Sequence, residues 1–102
     1  MAATPPSYAG TTTASWVIAV PARPGRRGVW IQNLGTTTLD RINAIQMAAT
    51  PSDADDVGIV LSSDLDSASV RITEGKHFFE GGGPVWVKEQ NGTTVAWSAL
   101  DT

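Results

Sequence analysis

Apolar and polar side chains alternate with a period of two along most of this chain, and the alternation stops at clusters of glycine, proline, asparagine and aspartate. Such a pattern predicts half-buried β-strands joined by turns. Its clearest segment is Arg26 to Gly35 (RRGVWIQNLG), a central strand with Val29 and Ile31 on one face and Trp30 and Gln32 on the other. Asn33, Leu34 and Gly35 close it with a turn signal. Upstream, residues 15–20 (SWVIAV) predict a strand with Trp16, Ile18 and Val20 on one face, ended by Pro21. Downstream, LDRINAIQM (39–47) changes phase: Leu39, Ile45 and Met47 share one parity, Ile42 and Ala44 the other. A β-bulge accounts for that slip, with a short amphipathic helix as its rival.

Further strands are predicted at VGIVL (57–61), with Val57, Ile59 and Leu61 in phase, and at SVRIT (69–73), with Val70 and Ile72 inward. HFF (77–79) reads as a short edge strand. Gly81, Gly82 and Gly83 then let the chain reverse into PVWVKEQ (84–90). Asn91–Gly92 is the favoured type I′ dipeptide and predicts a hairpin from that strand to TTVAWSAL (93–100). With no convincing helix, the chain is expected to be all-β: an antiparallel β-sandwich or jelly roll of about seven to eight strands over residues 14–102. Residues 1–13 (MAATPPSYAGTTT) are small, polar and interrupted by Pro5 and Pro6. They carry too little apolar area to offset their own ordering entropy, and a flexible N-terminal arm that orders against another surface is expected.

Parity also sorts the tryptophans. Trp16 and Trp97 share a face with Ile18, Val20 and Val95 and are assigned to the core. Trp30 and Trp86 each sit between residues expected to face inward, so their indoles point to the other side of their strands. Large aromatics on an outward face are frequent interface anchors, although an arm or loop of the same chain can cover them.

Composition narrows the function classes. The formal net charge of −3 argues against a general nucleic-acid binder, which needs a basic face to displace phosphate counterions. Before Asp40 the charged side chains are Arg23, Arg26 and Arg27 alone, whereas Asp40, Asp53, Asp55, Asp56, Asp64 and Asp66 crowd the middle. A basic edge of this kind can meet an acidic neighbour, which makes Arg26, Arg27 and Tyr8, together with Trp30 and Trp86, the candidate interface residues. Cysteine is absent, so disulfides and thiolate metal sites are excluded. No apolar run has the length of a membrane span, and the first residues lack the basic start and apolar centre of a signal peptide. Synthesis in a cytoplasm without export by the usual route is expected.

Candidate chemistry is sparse. His77 is the sole histidine, which leaves no multi-histidine metal site within one chain. Ser62 and Ser63 lack the surroundings of a nucleophile elbow. Gly81 to Gly83 lack the Lys and Ser/Thr of a phosphate loop. Asp53, Asp55 and Asp56, with Asp64 or Asp66, could offer oxygens to calcium, but the EF-hand pattern is missing and a solvated acidic loop is the favoured reading. No catalytic residue, cofactor or metal is assigned.

The succession RRGVWIQNLG, GIVL, SVRITEG and GPVWVKEQNGTTVAWSAL resembles a group of small all-β proteins encoded among the virion genes of tailed bacteriophages. Their sequences similarly run from a basic pair through a V-W/L-I-Q-N-x-G strand to a final V-W-V hairpin and a terminal strand. The resemblance spans about residues 14–100. It implies a non-enzymatic virion protein, most plausibly a capsid decoration (cement) protein that binds the major capsid protein on the head surface as a homo-oligomer, with a trimer favoured. Two alternatives stay open: a carbohydrate- or receptor-binding module using Trp30 and Trp86 as sugar-stacking platforms, and a tail, baseplate or head-completion component.

Overall fold

The alternating segments become strands: β1 (Ser7–Thr11), β2 (Val17–Val20), β3 (Gly28–Asn33), β4 (Ile42–Gln46), β5 (Ile59–Leu61), β6 (Lys76–Glu80), β7 (Val85–Glu89) and β8 (Ala96–Asp101). The structure is a computed structural model that describes residues 7–37, 39–52, 58–62 and 75–102. Among these residues there is no helix. The expected SVRIT strand, the acidic residues Asp53, Asp55, Asp56, Asp64 and Asp66, and Val57 lie outside the described residues.

The strands form two four-stranded antiparallel sheets, ordered β1-β8-β3-β6 and β2-β7-β4-β5. The pairs are nested: β1 with β8, β2 with β7, β3 with β6 and β4 with β5. Pairing of β3 with β8 and of β4 with β7 completes each sheet. The segment singled out at Arg26–Gly35 therefore supplies an interior strand, flanked on both sides.

This order corrects the final hairpin. β7 and β8 belong to different sheets, so Asn91 and Gly92 carry the chain across the sandwich rather than back along one ladder. Gly92 has φ of +72°, but among the described residues none other than glycine has positive φ, which excludes the type I′ geometry that Asn91 would need. The loop is instead held by long-range bonds. The Asn91 amide Nδ2 donates to the Leu39 carbonyl at 3.1 Å, and the Gln90 amide donates to that of Arg41 at 3.2 Å. A turn dipeptide specifies a local reversal, and which strand receives the returning chain is decided by the partners available.

Residues from both sheets fill the space between them. Val29, Ile31, Trp97 and Ala99 of the first sheet meet Val20, Ile42, Ala44, Leu61, Val85 and Val87 of the second, all buried. The phase slip in 39–47 has a simpler origin than a bulge. β4 starts only at Ile42 and keeps continuous register with β7, while Leu39 lies in the preceding turn and is 62% exposed. The irregularity is in β2, where the register shifts between Ile18 and Val20. Val20 packs inward as expected, but Val17 and Ala19 join it there and Ile18 is exposed, against the expected face. Trp16 is buried, yet it stands apart from the core cluster. Its Nε1 donates to the Ser52 carbonyl at 2.8 Å, and the Lys88 ammonium lies 5.8 Å from its ring centroid.

The expected arm contains a strand. Residues 7–11 pair along their whole length with β8, and a Cβ on Gly10 would stand 3.0 Å from Cζ2 of Trp97. Backbone pairing and this close indole contact supply what the small side chains lack. Thr12 then pins the chain: its amide donates to the Val95 carbonyl and its Oγ1 accepts from the Val95 amide, each at 2.9 Å. Residues 1–6 lie outside the described residues.

Two buried polar side chains staple the sheets together at the two ends of β3. Arg26, expected at a surface, is buried, and its guanidinium is wholly withdrawn from solvent. It donates to the carbonyls of Pro21, Gly81 and Gly83 and to the buried Asp101 carboxylate. Pro21 and Gly83 lie beside strands of one sheet, whereas Gly81 adjoins β6 and Asp101 ends β8 in the other. Arg23 adds an ion pair to Asp101 at 2.7 Å from the half-exposed side. At the other end, the Asn33 Nδ2 donates to the carbonyls of Asp40 (2.6 Å) and Leu61 (3.0 Å). Its Oδ1 accepts from the Gly35 amide. Asp40 in turn caps the following turn, accepting the amides of Thr36 and Thr37 at 2.8 and 2.9 Å. Gly35 is required there because a Cβ would fall 2.3 Å from the Asp40 Cβ.

The Arg26→Ala substitution should destabilise the fold by about 3 kcal/mol or more, since it strands three carbonyls and weakens the pairing of a buried carboxylate. Arg23→Ala, made from the half-exposed partner, should cost about 1 kcal/mol or less. Equilibrium urea unfolding of both variants measures the difference. Burial acts to raise the Asp40 carboxyl pKa, but the Thr36 and Thr37 hydrogen bonds outweigh it and hold it below its ordinary value. A carboxylate with a lowered folded pKa contributes stability above its unfolded pKa of about 3.9 and loses it as pH falls through the folded value. The stability gap between the wild type and Asp40→Ala, about 1–2 kcal/mol at neutral pH, should therefore narrow below about pH 4.

Candidate binding surface

The exposed face of the first sheet is built by the same alternation that builds its core. With Val29 and Ile31 inward, β3 presents Gly28, Trp30 and Gln32 outward. Register then assembles two rows across the sheet. Trp30 lies opposite Phe78 of β6 and Leu100 of β8, and Leu100 lies opposite Ser7 of β1. One step along the strands, Gln32 lies opposite Lys76 and Ser98, and Ser98 lies opposite Ala9. The first row is largely apolar and the second largely polar.

A groove of about 560 Å³ runs between these side chains, lined by the polar row and by Ser7, Trp30 and Leu100 of the apolar one, with Tyr8 and Ala99. Its depth comes from size: Ser7, Ala9 and Ser98 are small where Trp30, Leu100 and Lys76 stand high. Trp30 and Leu100 are each 45% exposed, so both offer apolar surface to solvent. Trp30 is held from one side by Phe78, with ring centroids 5.1 Å apart and planes tilted by 53°. Phe78 occupies the space over Gly28, where a Cβ would stand 2.3 Å from its Cζ. The one charged side chain lining the groove among the described residues is Lys76.

The other candidate residues are dispersed. Trp86 lies on the outer face of the second sheet, opposite Ile18 and Ile45. It is half-buried, and its Nε1 donates to the Met47 carbonyl at 3.0 Å. Ile18 beside it is 47% exposed. Trp30 and Trp86 thus look away from each other, and one contact cannot bury both. Tyr8 packs against the edge of the core. Arg27 is exposed, with its backbone bonded to Thr102 and Gly81. Arg26 is no surface group at all. His77 is half-buried beside Phe79 at 4.7 Å, and Ser62 is buried. Among the described residues no three His, Cys, Asp or Glu side chains are grouped to hold a metal.

No protein-family model, curated protein or solved structure matches the chain.

Function has to be argued from these surfaces. The alternation puts Gln32 on the face of Trp30 but does not single out Phe78, Leu100, Ser98 and Lys76, because the Asn91–Gly92 turn signal pairs β8 with β7. Period-two alternation within KHFFE and AWSAL does place Lys76 with Phe78 and Ser98 with Leu100, but only the cross-strand register brings them to Trp30. Acrylamide quenching should reach Trp30 and spare Trp16 and Trp97. Trp30→Ala should remove most of the quenchable emission while costing about 1 kcal/mol or less of stability, as expected for an exposed side chain.

Proposed function

We propose that this protein is a non-enzymatic structural component of a tailed-bacteriophage virion, of the capsid-decoration type, made in the host cytoplasm and carried on the head. The observation that carries this reading is that both outer faces of one stapled sandwich display a row of large apolar side chains: Phe78–Trp30–Leu100 on one, Ile18–Trp86–Ile45 on the other. A protein with two opposed adhesive faces is suited to link two different surfaces. The nested strand order supports reading the sandwich as a jelly roll, an architecture used by viral capsid and lectin domains. Architecture alone does not carry a function, so the faces have to be assigned.

The Ile18–Trp86–Ile45 face is the one that meets the major capsid protein. Its row across the strands is Ile18, Trp86 and Ile45, and its indole N–H is already satisfied within the chain, so the contact of that row is apolar packing. An aromatic ring has roughly 150–250 Å² to bury, worth about 25 cal/mol per Å² removed from water. The trimer expected from the resemblance belongs to the same proposal, and repeated copies raise avidity for a symmetric shell. The groove face is then left outward.

Purified particles of the phage that encodes the chain should contain it at a fixed copy number, and added protein should co-sediment with heads stripped of it. Ile18→Asp with Trp86→Ala should abolish co-sedimentation while leaving the far-UV circular dichroism β-rich. Light scattering should report a trimer. Absence from purified particles, or undiminished binding by the double variant, overturns the assignment.

A further inference from the structure

We infer that the Trp30 groove is a binding site for a short saccharide that carries a carboxylate. The inference rests on the reading that this face is turned outward, away from the shell. A pyranose has an apolar face of C–H groups and an edge of hydroxyls, and the groove offers the matching pair of rows. Trp30, steadied by Phe78 and flanked by Leu100, is a half-exposed aromatic platform. One step along the strands, about 7 Å away, stand Gln32 and Ser98, whose amide and hydroxyl both donate and accept. A ring laid on the indole therefore keeps its hydroxyl edge over the polar row.

Charge selects among saccharides. The protein is acidic overall, yet the groove is lined by Lys76 and, among the described residues, by no carboxylate. Lys76 is exposed and opposite Gln32, so it can meet a carboxylate at the end of a ligand lying along the polar row. A cation in a concave surface focuses its field on what enters. The volume of about 560 Å³ lies within the range of small-molecule sites. The site is largely pre-formed because its side chains stand on paired strands rather than on loops, which lowers the ordering cost of binding.

The test is a titration of the full chain with a glucuronate-containing disaccharide and with its neutral glucose counterpart, followed by tryptophan fluorescence and by NMR. Acetate serves as the control for a bare carboxylate. The acidic disaccharide should bind at least about fivefold more tightly than the neutral one at low salt, a preference that added salt erodes. Trp30→Ala should weaken both at least tenfold, a loss expected of an aromatic hot spot. Lys76→Gln should abolish the preference, so that the acidic and neutral disaccharides bind equally. No binding of either sugar at tens of millimolar, equal binding of the two by the wild type, acetate binding as well as the acidic sugar, or undisturbed binding by Trp30→Ala overturns the inference. Head co-sedimentation of Trp30→Ala separates the two proposals. If it is retained while saccharides fail to bind, the groove assignment alone falls; if it is lost, the groove faces the shell and the inference falls with it. Saccharide binding by a protein that never joins particles upholds the groove and removes the decoration reading.

Discussion

The arrangement depends first on one buried guanidinium. Arg26 offers five N–H donors in a fixed fork, and the fold brings to it three main-chain carbonyls and a carboxylate from segments on both sheets. Withdrawing such a charge from water is costly, and it is tolerated because its partners converge with it. The same convergence determines where the chain must pass. The loop after β2, the turn between β6 and β7 and the end of β8 are all positioned by what they donate to or accept from Arg26 and its partner Asp101. Apolar packing between the sheets has no comparable directionality, since Val and Ile faces can slide with little loss of buried area.

Asn33 does the corresponding task at the far end of β3, with neutral groups and shorter reach. Between the two staples lie Val29 and Ile31 on the inside and Trp30 and Gln32 on the outside. The strand that anchors the sandwich is therefore also the one that displays the most exposed indole, and a side chain rooted in such a strand inherits its rigidity. Gly28 extends the logic sideways: its missing side chain leaves room for Phe78, which in turn steadies Trp30.

Much of this was legible in the alternation. It placed β3 correctly to within a residue or two, put Val29 and Ile31 inside and Trp30 outside, and read β6 as an edge. It failed where local chemistry and long-range pairing disagree. Arg26 read as surface because arginine is rarely buried without partners, and three of its four partners come from positions more than fifty residues away. Asn91–Gly92 read as a hairpin because the dipeptide reports a turn and not a destination. Ile18 read as core because a one-residue irregularity in β2 breaks the parity that joined it to Val20. Tyr8 read as arm because strand pairing by Ser7–Thr11 owes little to its own composition. The rows around Trp30 could not be assembled from sequence, since each needs residues from four strands whose order was unknown.

The nested pairing also sets a schedule. β8 lies in the interior of its sheet, between β1 and β3, and supplies Ser98 and Leu100 to the exposed face and Trp97 and Asp101 to the inside. On a ribosome, β1 through β7 emerge before the strand that unites β1 with the rest of its sheet. Until then the first sheet has a gap, Arg26 lacks its counter-ion and Gly10 lacks its indole cover. Contacts of such sequence separation make folding slow relative to local turns. Of these eight strands β1 waits longest for its neighbour, so the sheet closes only after translation has passed Asp101.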